Sequence, residues 1–217
     1  MTDSQSLRTM MVDTQVRPSD VTKFPIIAAM LDIPREDYVP AAAEPVAYMD
    51  APVPLGDGRE MMDARTLAKM LDALAVEDTD EVLIVGGGLG YSAAVMARMA
   101  ASVVMVEEDR AMASEAEAAL GRASVDNAAV LEGPLTDGAA KASPFDVILI
   151  EGGIETVPDS LLQQLKDDGR IAALFQDGAL GDVRIGHMAQ GRVAWRFAFN
   201  ASAPVLPGFE TAREFSL

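Results

Sequence analysis

Residues 81–96 read E-V-L-I-V-G-G-G-L-G-Y-S-A-A-V-M, an apolar run broken by glycines and then resumed. The run at 82–85 stops at Gly86, Gly87 and Gly88, and an apolar-rich segment follows Gly90. This pattern predicts a strand, a Gly-rich turn and a helix. A missing Cβ lets the backbone turn sharply and lets a ligand approach the main chain, while the following helix offers unpaired N–H groups and the positive end of its dipole. A nucleotide-like ligand suits such a cradle. The plainer alternative is a tight strand-to-helix turn with no guest.

The spacing Gly86-x-Gly88-x-Gly90 is G-x-G-x-G, which suits S-adenosylmethionine (SAM) at least as well as the dinucleotides, whose fingerprint is G-x-G-x-x-G. A second apolar run, 103–106, ends at Glu107, about twenty residues beyond the glycines, where α/β nucleotide folds carry the carboxylate that binds ribose hydroxyls. The alternative for Glu107 and Glu108 is a pair of solvated acids at a strand end.

At 217 residues the chain fits one well-buried domain. Half of it is hydrophobic but only 5% is aromatic, so the core should be aliphatic. With no Cys and one His, His187, it has no disulfide, no thiol nucleophile and no zinc site of the usual ligands, and no metal site is expected. His187 itself reads as structural or exposed. A formal charge of −17 opposes binding to nucleic acid and to anionic membrane, whose phosphates are held by clustered Lys and Arg. There is no apolar run of transmembrane length and no basic-then-apolar leader pattern, so a cytoplasmic protein is expected.

Taken in order, residues 1–8 are polar and should fray, and Ser19 or Asp20 should cap a helix bearing Ile26, Ile27, Met30 and Leu31. Prolines at 34, 40, 45, 52 and 54 predict a largely irregular segment over 32–58. So long a loop suggests a mobile cover, over 32–62, for the acceptor side of the pocket. Residues 63–74 form an amphipathic pattern with Leu67, Met70, Leu71 and Leu74 on one face. From 82 onward strands and helices alternate, which predicts a mostly parallel sheet with helices on both faces and right-handed crossovers. The run 145–150 ends at Glu151, so Gly86, Glu107 and Glu151 should share one rim at the carboxyl ends of the strands, where open α/β sheets bind ligands. Two segments at 182–188 and 192–199 around Ala189-Gln190-Gly191 predict a C-terminal antiparallel hairpin, and the tail from Pro204 should be irregular. The expected fold is α/β and Rossmann-like, a single domain over 1–217 with a helical and loop cap (1–75) and a core (76–217).

The chain resembles the protein-L-isoaspartate O-methyltransferase family. The resemblance runs through Met11-Val12, Gln15-Val16, Ala29-Met30, Pro34-Arg35-Glu36-x-Tyr38-Val39-Pro40, Ala47-Tyr48-x-Asp50 and Pro54-Leu55-Gly56. It continues in the glycine motif with Tyr91, Glu107, Asn127, Pro144-Phe145-Asp146, Pro158-x-x-Leu161-Leu162-x-Gln164-Leu165-Lys166 and Gly169-Arg170. It implies a SAM-dependent methyltransferase fold with SAM as cofactor over Gly86, Gly87, Gly88 and Gly90 and its ribose at Glu107. The implied reaction moves the SAM methyl group to the carboxylate of L-isoaspartyl residues, a first step in protein repair, or to another carboxylate substrate.

Three positions depart from the family pattern. Ile84 stands where an acid precedes the first glycine, Pro134 where an acid follows Gly133, and Met62 where the family has its active-site Ser, with Glu60 at a family Thr. Met cannot donate the hydrogen bond a hydroxyl gives, so no catalytic residue is assigned there. Arg59 and Arg65 are candidates to clamp a carboxylate in its place, against the alternative of ordinary solvated arginines. A non-catalytic or re-purposed family member is the competing reading.

Overall fold

The structure is a computed structural model and describes residues 3–211. Its first helix, α1 (Ser4–Met11), begins inside the stretch expected to fray and runs on through a π turn, Val12–Val16, and a 3-10 turn, Arg17–Ser19. Met11, Val12 and Val16 are buried, which is what holds it down. Asp20 does not cap the next helix: its φ of 65° ends the 3-10 turn, and α2 (Phe24–Asp32) starts instead on Pro25, whose fixed φ suits a first helical turn. Ile26, Ile27 and Met30 of α2 are buried as the spacing predicts.

Residues 32–62 are mostly irregular but tightly packed. Short 3-10 turns occupy Arg35–Tyr38 and Ala41–Val46, and Tyr38, Ala47, Val53, Met61 and Met62 are all buried. Arg35 is fully buried, donates from Nε to the Ala47 carbonyl (2.8 Å) and from Nη2 to the Met62 carbonyl (2.5 Å), and stacks 4.8 Å from the Tyr91 ring centre. The segment also holds an unforeseen hairpin, β1 (Val53–Gly56) with β2 (Arg59–Met61). Its two-residue loop, Asp57-Gly58, has φ of 48° and 75°, the left-handed pair that a tight hairpin turn needs and that Asp-Gly tolerates.

Helix α3 (Ala64–Leu74) is capped by Asp63, which accepts from the Thr66 N–H at 2.8 Å, and it buries Leu67, Met70, Leu71 and Leu74 against the sheet. The sheet is built from β3 (Glu81–Val85), β4 (Ser102–Glu107), β5 (Ala128–Glu132), β6 (Phe145–Ile154), β7 (Leu165–Asp177), β8 (Leu180–Ala189) and β9 (Arg192–Asn200). The strand order is β5-β4-β3-β6-β7-β8-β9, parallel from β5 to β7 and antiparallel from there. Helices α4 (Tyr91–Ala97), α5 (Arg110–Arg122) and α6 (Asp159–Leu162) fill the crossovers. The α/β fold and the C-terminal hairpin expected from the sequence are both present.

Alternate residues of each parallel strand feed two separate cores. Val82 and Ile84 face a cluster with α3, α4 and the N-terminal elements, while Leu83 and Val85 face one with Leu161, Leu206 and Phe209. Because both faces are covered, the strands read as unbroken apolar runs. Each such side chain contributes roughly 1.5–3 kcal/mol by leaving water.

The amino ends of the strands are tied by ion pairs. Lys166 reaches Glu81 (2.8 Å) and Asp146 (2.9 Å), and Arg170 pairs with Asp80. At the opposite end the tail, expected to be simply irregular, packs. Its Leu206 N–H donates to the Gly153 carbonyl (2.8 Å), Val205 bridges to Gly153, and Leu206 and Phe209 are buried.

Candidate functional site

Three parallel strands end at residues able to meet a ligand. β3 runs into the glycine turn, β4 ends on Glu107 and β6 carries Glu151 just beyond its last pairing with β3, Ile150 with Val85. Chain order reverses at β3, between β4 and β6, which makes this the crevice where open α/β sheets take their ligands. The rim expected from the sequence is therefore assembled. By contrast a cavity of about 630 Å³ lined by Leu162, Leu165, Met188 and Val193 lies at the amino end of β7, away from these residues.

Glu107 is wholly buried and accepts five hydrogen bonds. Its Oε1 takes Arg59 Nη1 (2.8 Å) and the backbone N–H groups of Glu108 (3.0 Å) and Asp109 (3.2 Å). Its Oε2 takes Arg59 Nη2 (3.0 Å) and the Gly88 N–H (2.9 Å). A carboxylate offers about four lone-pair directions. No acceptor capacity is left for a pair of ribose hydroxyls while Arg59 stays in place.

Arg59 reaches the rim from β2. It is 8% exposed, and its Nη2 also donates to the Gly86 carbonyl at 2.8 Å, so one guanidinium bridges the glycine turn and the end of β4. Arg65, the other candidate clamp, is half exposed and pairs loosely with Asp50 (3.6 Å) and Asp63 (3.9 Å), away from Glu107. Asp63 is spent on the α3 cap, and Glu60 sits in β2 opposite Pro54.

The glycines do permit close approach, but to the chain itself. A Cβ at Gly88 would lie 2.5 Å from Leu55 Cδ1, and one at Gly86 would lie 3.1 Å from Leu206 Cδ1 and 3.2 Å from Arg59 Nη2. Gly87 is needed for a different reason, because its Cβ would strike the Met105 sulfur at 2.4 Å. Gly90, at φ 92°, lets α4 pass within contact of Ala116 on α5. Gly86, Gly87, Gly88 and Gly90 are all buried. As folded, the expected ribose acceptor is saturated and aliphatic side chains pack on the glycine backbone.

The tail completes the closure. β6 pairs with β7 through Gly153 and Leu174 on one edge, so the bridge from Gly153 to Val205 uses the edge that β3 leaves free beyond Val85. Leu206 thereby enters the switch-point crevice, and a Cβ at Gly152 would meet its Cγ at 2.5 Å.

Glu151 is buried beside this crevice and accepts from the Ser92 hydroxyl. Burial pushes its carboxyl up to about 7, against the opposing hydrogen bond from Ser92 and the positive fields of Arg35 and Arg59. Of the three departures from the family pattern, Ile84 is core, Met62 is buried with its carbonyl held by Arg35, and Pro134 is exposed beside Gly133, whose N–H donates to the Glu107 carbonyl (3.1 Å). His187 is exposed in β8, opposite Arg170 and Ala194. Among the described residues no cluster of His, Asp and Glu is placed to hold a metal ion, and no helix is long and apolar enough to cross a membrane. The sequence reading missed the parts played by Arg59, Leu206 and Ser92. For Arg59 the signal was there: Gly56-Asp57-Gly58 is a hairpin turn, and the residue after it alternates with buried Met61.

The chain is similar to known proteins over most of its length. A profile described as protein-L-isoaspartate(D-aspartate) O-methyltransferase (PCMT) matches residues 8–181. The protein-L-isoaspartate O-methyltransferase of Methanoregula boonei is 34% identical over 176 residues, which is 81% of each chain. That of Methylorubrum extorquens is 37% identical over 169 residues, 78% of this chain and 74% of its own. A solved protein-L-isoaspartate O-methyltransferase superposes with a TM-score of 0.81 at 23% identity, over 95% of this chain and 66% of that one. A Plasmodium falciparum structure of the PCMT description, in complex with S-adenosyl-L-homocysteine, gives 0.80 at 17% identity, over 95% and 99%.

Proposed function

Because the chain belongs to the protein-L-isoaspartate(D-aspartate) O-methyltransferase family, we propose that it is a SAM-dependent carboxyl O-methyltransferase acting on L-isoaspartyl residues of damaged protein. The observation that carries this is the match over residues 8–181, which spans both the rim and the N-terminal segment that covers it. Nucleotide binding in general would not require that segment. The proposed cofactor residues are Gly86, Gly87, Gly88, Gly90 and Glu107, and the proposed compartment is the cytoplasm.

The chemistry asks little of side chains. An acceptor carboxylate with a pKa near 4 is already ionised at neutral pH, so the chain's task is to orient it rather than to remove a proton. That agrees with a rim lacking Cys and His. A ribose at Glu107 would have to displace Arg59, which holds both carboxylate oxygens.

A second reading, a non-catalytic member of the family, is favoured by two observations: Arg59 and Glu107 satisfy each other, and Met62 removes the family hydroxyl. Transfer of radiolabelled methyl groups from SAM to an isoaspartyl peptide, with the ordinary aspartyl peptide as control, separates the two. The enzyme reading expects label on the isoaspartyl peptide alone, and more of it in Met62→Ser. No label with either protein would overturn it in favour of the second.

A further inference from the structure

The closure at the rim has three independent contributors from two distant parts of the chain. Arg59 on β2 takes both oxygens of Glu107, Leu55 on β1 lies over Gly88, and Leu206 in the tail lies over Gly86 and Gly152. All three converge on the backbone that the glycines expose. We propose that this is a plug in cis: the β1–β2 hairpin and the tail occupy the cofactor cradle, with the Arg59 guanidinium on the carboxylate where the ribose hydroxyls would bind, so that cofactor and plug exclude each other. The inference rests on the reading of this rim as the cofactor site.

The physical basis is competition for one acceptor. The bidentate pair satisfies two charged groups that opening would leave unpaired in the interior, so the closed form is the resting form. A ligand that binds only the open form has its affinity reduced by the open fraction. An open fraction of about one per cent would weaken binding about 100-fold. Loosening any contributor raises that fraction and tightens binding. This is the reverse of a ligand-holding arginine, whose removal would weaken binding.

The hairpin is a unit of its own, although Val53 and Met61 anchor it in the core. It is a separate two-stranded sheet whose loop, Asp57-Gly58, is exposed, and the large sheet does not hydrogen-bond to it through any strand pairing. Arg59 therefore reaches Glu107 across a gap between sheets.

The test is calorimetric titration of S-adenosyl-L-homocysteine into the wild type, Arg59→Ala and Leu55→Ala. The second variant leaves the ion pair intact and serves if the first fails to fold. The plug expects weak binding by the wild type, at least tenfold tighter binding by Arg59→Ala, and a smaller gain in Leu55→Ala. It also expects the ligand to raise amide exchange in residues 53–61 and 203–209 of the wild type, where ordinary binding would lower it. Equal, tight binding by all three proteins would overturn the plug and leave the enzyme reading standing. Absence of binding in all three would overturn both.

Discussion

Lys166 at the amino ends of the sheet and Arg59 at the carboxyl ends both hold carboxylates, and the two sets of contacts do opposite things. At the amino ends Lys166, about a third exposed, bridges Glu81 and Asp146 in the presence of water, which screens the attraction and also hydrates whichever partner lets go. At the carboxyl ends Arg59 and Glu107 are 8% and 0% exposed, so neither can be released without leaving a charge in the interior. The first arrangement ties strand ends together at little gain, whereas the second sets a high cost on opening. Exposure, rather than distance, separates a fastening from a gate: both sets of contacts have N–O distances of 2.8 to 3.0 Å.

The sharpest way to break this comparison is to remove one partner at the closed end. Glu107→Ala should destabilise the fold by about 3–5 kcal/mol, the range for a broken buried pair, as read by urea unfolding. A double variant, Arg59→Met with Glu107→Gln, should recover part of that loss, because the Gln carbonyl still accepts from the Glu108 and Asp109 N–H groups, whereas its amide nitrogen cannot accept from Gly88. A loss in Glu107→Ala no larger than that of a surface pair would mean that the rim is wet and the contrast false.

Next in size is Glu151. Its carboxyl, raised from 4.5 to about 7, binds its proton more tightly in the folded state than in the unfolded one. The associated stability is complete below about pH 4.5 and is lost as pH rises through 7, a change of about 3 kcal/mol at 1.36 kcal/mol per pKa unit. Glu151→Gln removes this titration. Its stability relative to wild type should therefore improve between pH 5 and pH 8, measured by thermal unfolding at each pH, and a flat difference would show that Glu151 is already hydrated.

Two smaller effects calibrate the comparison. Asp63→Ala should cost about 1 kcal/mol by removing the cap of α3. Lys166→Ala should cost no more than about 1 kcal/mol, with the difference shrinking in high salt. Denaturant midpoints read both.

The elements that set the architecture were legible because each is local. Residues 82–85, the glycines and Glu107 lie within one stretch whose period and punctuation are visible in order, and the buried face of α3 follows from spacing alone. The closure was not legible for the corresponding reason. Arg59 and Glu107 are 48 residues apart, and the strand that presents Arg59 has only three residues, too few for a periodic signal. The Asp57-Gly58 turn was available as a cue, but the surrounding prolines favoured reading the whole segment as loop. Leu206 is harder still. It sits in a tail without regular structure, and its position depends on β6 outrunning β3, which is a matter of register rather than composition.

Arg35 gives this cysteine-free chain something that small folds more often obtain from a covalent link. One guanidinium joins carbonyls at positions 47 and 62, so it cinches the proline-rich segment into a loop at both ends. A disulfide in that place would act largely by restricting the unfolded chain, and it would fail in a reducing cell. The arginine clasp leaves the unfolded chain unconstrained and is indifferent to redox potential. Its hold exists only while the segment is packed, so residues 35–62 should let go together rather than fray from one end.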